Sequence, residues 1–129
     1  MLRMKRNVAL TISSLLSVLF FTFHIAGDIV RGYEKGGLSN FPAVPIAVVW
    51  LCGAVVLAER RSGYIITILG SLLGVGIPIL HMRGRGLGAV ANSSGAFFFI
   101  WTTLAIGVTA LFSLILSIHG LWKLKKSRS

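Results

Sequence analysis

Charged residues are scarce in this chain: they make up 12% of its 129 residues, whereas hydrophobic residues make up 55%. An average soluble domain carries roughly 25% charged residues. A soluble domain of this length needs a polar surface that so few charges do not supply. The scarcity of charge therefore excludes an ordinary soluble domain, and the apolar content excludes a disordered chain. The length is short for more than a single domain.

Cysteine occurs once, at Cys52. A single thiol forms neither an internal disulfide nor a Cys-x-x-Cys redox pair, which excludes a disulfide-bonded scaffold. Because Cys52 lies inside an apolar run, we expect it to be a small buried hydrophobic residue. The motifs HExxH, GxSxG and the Walker loop are also missing, so the sequence favours a non-enzymatic protein.

Acidic residues are few as well: Asp and Glu total 3 against 13 Lys and Arg, a formal charge of +10. In a soluble protein this excess would suggest nucleic acid as a partner. Here the cations lie between and beyond long apolar runs, and no basic face is interleaved with aromatic residues. This placement predicts a lipid bilayer as the partner, with anionic headgroups near the cations, and no nucleic acid.

The apolar residues are concentrated in four runs, at about 8–27, 41–58, 64–82 and 96–121. A helix needs about 20 apolar residues to cross a bilayer. We therefore predict an all-α integral membrane protein, a four-helix transmembrane bundle that forms a single domain over residues 1–129.

The loops differ in positive charge, which predicts the orientation of the bundle. Nine Lys and Arg residues fall on the side that holds both termini, and four fall on the other side. Positive loops stay in the cytoplasm, so both termini are expected there, in a plasma membrane or a bacterial inner membrane. The nine are Arg3, Lys5, Arg6, Arg60, Arg61, Lys123, Lys125, Lys126 and Arg128, and the four are Arg31, Lys35, Arg83 and Arg85.

The first run carries polar residues on one helical face. Ser13, Ser17, His24 and Asp28 fall within about 60° of one another at 100° per residue. His24 and Asp28 are four residues apart, close enough for a hydrogen bond. Ionisable residues within a span normally face the bundle interior or water, and are functional candidates by default.

His81 closes the third run, and the predicted topology brings it to the same outer end as His24 and Asp28. We consider His24, Asp28 and His81 a candidate site for a transition metal, a haem or a transported proton. The neighbouring cations are candidate contacts for an anion or a lipid headgroup: Arg31, Arg83 and Arg85. The alternative is that His24 and Asp28 form an intrahelical pair that only closes the first span.

Small residues on the third and fourth runs are typical of helix packing in lipid, where backbones approach closely. Gly70 and Gly74 have a Gly-x-x-x-Gly spacing, and Gly107 lies on a stripe of small residues in the fourth run. These faces favour self-association or a larger membrane-protein partner.

The sequence leaves three functions open. The favoured one is an accessory, assembly or stabilising subunit of a membrane system, because no catalytic set of residues is evident. The second is a metal- or haem-binding redox subunit that uses His24, His81 and Asp28. The third is a small transporter coupled to protons or other cations.

Overall fold

The computed structural model describes residues 7–34, 36–83, 88 and 90–129. Within these ranges the chain is helical and contains no strand. Four helices are long and apolar enough to cross a membrane, which confirms that part of the predicted fold. They are α1 (Val8–Val30), α2 (Ala43–Val55, with the 3-10 helix Leu38–Asn40 before it), α3 (Arg61–Arg83) and α4 (Ala96–Arg128).

Helix α1 begins at an asparagine cap, where the side chain of Asn7 accepts a hydrogen bond from the backbone N–H of Leu10 at 3.1 Å. It ends at Val30, three residues beyond the predicted run. The extension is stable because the carbonyl oxygen of Asp28 accepts from the backbone N–H groups of Tyr33 and Glu34. Gly32, with φ at +75°, then turns the chain away.

A tight turn joins α2 to α3. Helix α2 ends at Val55, three residues before the end of the predicted run, because the backbone N–H groups of Val56 and Leu57 both bind the carbonyl of Cys52. Gly63 then packs against the backbone of Leu57 so closely that no Cβ fits there. The two helices therefore form a hairpin whose turn requires glycine at this position.

Successive helices run antiparallel. At the interface between α1 and α4, residues with higher sequence numbers on α1 contact residues with lower numbers on α4. The contacts between α3 and α4 follow the same order. The pairs on α1 and α4 are Ser14 with Ser113, Ser17 with Thr109, and His24 with Thr102. The ends of α1 and α3 consequently meet the start of α4, which we call the histidine end. The opposite end, with Arg61, Lys125 and Arg128, is the basic end.

Glycines allow the helices to approach closely in the middle of the bundle. The ring of Trp50, on α2, lies over Gly70, and Gly74 lies between that ring and Ala110 on α4. Gly107 faces Pro78 of α3. A Cβ at any of these three glycines would come within 3 Å of a neighbouring side chain, so their small size determines the helix spacing.

Cys52 is exposed on α2, so the expectation that it is buried was wrong. The buried residues of α2 are Trp50, Gly53 and Ala54, and Cys52 lies outside this face. An apolar run alone does not show which side of a helix meets its neighbours, and this helix contacts the bundle along one narrow face.

Candidate metal centre

Helix α1 supplies two of the polar side chains at the histidine end. His24 and Asp28 are one turn apart, and His24 Nε2 lies 3.4 Å from Asp28 Oδ2. Both residues are buried, at 4% and 7% exposure. A polar group that loses water needs a partner, and these two groups lie close enough together to share one.

Helix α3 brings the third side chain, His81, to the same point. His24 Nε2 and His81 Nε2 are 3.2 Å apart, although the residues are separated by 57 positions in sequence. The two rings meet edge to face with their centroids 5.1 Å apart. The parallel course of α1 and α3 makes this contact possible, because both helices end at the same end of the bundle.

Helix α4 orients His24 through Thr102. The Thr102 hydroxyl donates to the carbonyl of Phe98 at 2.8 Å, and His24 Nδ1 lies 3.1 Å from the hydroxyl oxygen. Since the hydroxyl proton is already used, His24 Nδ1–H is the donor to Thr102. The Nε2 atom of neutral His24 then carries a lone pair that faces His81 and Asp28.

The ring of Phe99 packs against both histidines, with centroids 5.2 Å from His24 and 5.0 Å from His81. The ring of Tyr33 also meets Phe99, at 6.1 Å between centroids, and its hydroxyl is hydrogen-bonded to Ser93. These aromatic contacts hold the imidazole rings in place, which reduces the ordering that a ligand would have to impose on them.

The three side chains are candidate ligands for one metal ion. One ligand atom from each of His24, Asp28 and His81 lies within 4.8 Å of the other two. Two ligands held about 2.0–2.1 Å from a tetrahedral ion stand about 3.3 Å apart, close to the 3.2 and 3.4 Å separations here. Two imidazoles and a carboxylate suit zinc or iron(II).

A haem does not fit the same residues. Axial ligands from two histidines must approach haem iron from opposite faces of the macrocycle. The two Nε2 atoms here are only 3.2 Å apart and the rings touch edge to face, which leaves no slot for a flat macrocycle. Phe99 packs against both imidazole rings.

A cavity of about 290 Å³ adjoins the three side chains. Its wall is mostly apolar, with contributions from α1, α2 and α3, and it also includes Glu34 and Ser39 from the segment between α1 and α2. This cavity leaves one side of the cluster open, so a bound ion would have room for a water molecule or another small ligand as its fourth partner.

Two of the predicted anion contacts lie at helix ends on this side of the bundle: Arg31 follows α1, and Arg83 ends α3. Arg31 lies over the ring of Phe98, 4.6 Å from its centroid, and donates to the carbonyl of Gly27 at 3.3 Å. Arg83 is exposed at the last residue of α3. Arg85 lies outside the described residues.

Sequence reasoning missed Thr102, Phe99 and Glu34. Phe99 and Thr102 belong to the buried face of α4, which repeats every three or four residues through Ile106 and Ala110. That spacing is present in the sequence, but a stripe of small residues indicates helix packing and does not mark Phe99 or Thr102 as part of a site. Glu34 lies in the segment after α1, where no helical periodicity indicates which way a side chain points.

No family model matches this sequence, and neither a curated protein nor a solved structure was found to be similar to it.

Proposed function

We propose that the chain is a four-span membrane protein that holds one divalent transition-metal ion between His24, His81 and Asp28. The observation that carries the proposal is the convergence of three metal-ligating side chains from two helices, with their ligand atoms within 4.8 Å of one another. Ionisable side chains are costly inside a bundle, and three of them at one point require a compensating partner. A metal ion is the partner that this set of ligands suits.

Insertion into a bilayer is supported by the outer surface of the bundle. Many large apolar side chains in the middle of the helices are exposed, including Leu19, Leu69, Val108 and Phe112. At most 39% of the most apolar segment of any helix is buried inside the structure. Exposure of such an apolar surface to water is unfavourable in free energy, whereas lipid tails would cover it.

The charge distribution supports an orientation with the basic end in the cytoplasm. Both termini would then be cytoplasmic in a cell membrane, and the metal site would lie near the opposite surface. An ion bound there would come from outside the cytoplasm. We infer an accessory role in which the protein captures or holds the ion for a membrane system.

The packing beneath the site favours holding an ion over transporting it. Ile106 lies one turn deeper than Thr102 on α4 and is fully buried. Trp50, 1% exposed, fills the space between α2 and α3 and contacts Phe21. A transporter coupled to protons or cations would have to move these side chains to connect the cluster with the basic end.

The test is metal binding by the protein purified in detergent. We expect one Zn²⁺ or Co²⁺ per chain by calorimetry, and removal of a ligand in His81→Asn should weaken binding by more than the roughly 10–100-fold that loss of an outer hydrogen-bond partner costs. His119→Asn is the matched control, because His119 lies beside Trp122 at the other end of the bundle. Equal binding by both variants would refute the proposal.

A second candidate function is that of a stabilising or assembly subunit without metal. It is favoured by the row of hydrogen bonds between α1 and α4, in which His24 and Thr102 follow two pairs of hydroxyl groups. Polar pairs of this kind hold helices together in lipid. The free energy of unfolding, measured with and without metal, distinguishes the two functions. A bound ion present at about 100 times its Kd raises this free energy by about 2.7 kcal/mol. A structural cluster would show no such gain.

A further inference from the structure

A groove at the basic end joins cationic side chains to an apolar floor. It has a volume of about 360 Å³ and lies between the start of α3 and the last turns of α4. Its wall consists of Arg61, Ile65, Leu121, Leu124, Lys125 and Arg128. The wall therefore contains three cations, three aliphatic side chains and no carboxylate.

The cations and the aliphatic residues occupy separate layers. On α3, Arg61 is the first residue and Ile65 lies one turn deeper in the bundle. On α4, Leu121 is the deeper residue, and Lys125 follows one turn closer to the helix end. Because α3 and α4 are antiparallel, the charged layers of both helices coincide, and so do the apolar layers.

The positive charges of the groove are not neutralised within the described ranges of the chain. Arg61, Lys125 and Arg128 form no ion pair there. Lys126, by contrast, points to a different neighbour, the ring of Trp122, at 5.8 Å from the centroid. Three unpaired cations around one groove repel each other, and an anion between them would relieve this repulsion.

We infer that this groove binds an anionic phospholipid, with the phosphate between Arg61, Lys125 and Arg128 and an acyl chain along Ile65 and Leu121. Arginine and lysine are the usual ligands of phosphate groups. Basic pockets between helices at the cytoplasmic surface are typical sites for anionic headgroups. The apolar floor selects a lipid over a free phosphate ion, which would leave these side chains uncovered.

The inference rests on the proposed insertion of the helices into a bilayer, but it does not depend on the metal ion. Alkaline carbonate extraction of membranes tests insertion separately. If the protein is extracted, the membrane proposal fails and the lipid site fails with it. If the protein stays in the membrane, the binding experiment decides the lipid site alone.

The experiment compares two double variants that remove the same charge. Arg61→Gln with Lys125→Gln alters the groove, whereas Lys123→Gln with Lys126→Gln alters cations outside its wall. Delipidated protein in detergent is titrated with phosphatidylglycerol or phosphatidylcholine and examined by native mass spectrometry. We expect the wild type to prefer phosphatidylglycerol, and its affinity to fall at least about tenfold in the groove variant but less than about threefold in the control.

Three outcomes would overturn the inference. Equal losses in the two double variants would indicate general attraction to the basic surface. Equal binding of phosphatidylcholine would indicate an apolar groove without headgroup recognition. Displacement of the lipid by inorganic phosphate at similar concentration would indicate a site for free phosphate. If a double variant loses its helical circular dichroism, the single variants Lys125→Gln and Lys126→Gln provide the same comparison.

Discussion

The two ends of the bundle satisfy their polar groups in opposite ways. At the histidine end, His24 and Asp28 are buried, and His24 contacts Asp28, His81 and Thr102. At the basic end, the charged side chains that line the groove are exposed and share one sign. A buried polar group requires a partner from the protein, whereas an exposed charge can rely on water or on a lipid headgroup.

This difference separates the two kinds of binding that we propose. The histidine end presents three ligand atoms at short, defined distances, which suits a small ion with strict geometry. The basic end presents long flexible side chains above an apolar floor, which suits a large amphiphile with a diffuse charge. Helix α3 contributes one end to each site, because the antiparallel arrangement places its two ends beside different helix ends.

The largest expected effect concerns the side of the membrane on which each end lies. A reporter fused after Ser129 should show a cytoplasmic location. A reporter inserted at Gly37 should show a location on the opposite side of the membrane. Gly37 is exposed and has open space around it, so an insertion there should be tolerated. Activity of both reporters on the same side would contradict the four-span arrangement.

The next effect tests how the histidine end is ordered. Thr102→Val removes the hydroxyl that accepts from His24 Nδ1 and should weaken metal binding by about 10–100-fold. Thr103→Val is the matched control on the same helix, because the Thr103 hydroxyl donates only to the carbonyl of Phe99. Titration with Co²⁺ followed by absorption measures both. Equal affinities would mean that Thr102 does not orient the ligand.

The smallest effect concerns the packing that connects the two ends. Gly74→Ala places a methyl group 2.6 Å from the Cβ of Ala110, so α3 and α4 must separate. We expect a loss of about 1–3 kcal/mol in the free energy of unfolding, the usual cost of overpacking.

Gly76→Ala on the same helix is the control for this substitution. A Cβ at Gly76 meets nothing within 4 Å, and alanine favours a helix over glycine by up to about 1 kcal/mol. Unfolding in a mild denaturing detergent compares the two variants. A Gly74→Ala variant as stable as the wild type would show that this contact does not determine the helix spacing.

Much of the candidate site followed from local spacing. The four-residue separation of His24 and Asp28 predicted their contact, and the count of helices predicted that His81 lies at the same end. The spacing did not reveal that Arg31 would lie over Phe98. That contact depends on how α1 is rotated against α4, which no pattern within either helix encodes.

The sequence by itself determined that the chain forms four long apolar helices and that its charges lie at their ends. These properties follow from composition and from the length of apolar runs, which act locally. Only the tertiary structure decided that His24 and His81 meet at 3.2 Å and that Thr102 orients His24. The reason is that these contacts depend on the rotation and the axial register of neighbouring helices. Close packing at Gly70, Gly74 and Gly107 relates α2, α3 and α4, and the hydroxyl pairs Ser14–Ser113 and Ser17–Thr109 relate α1 to α4.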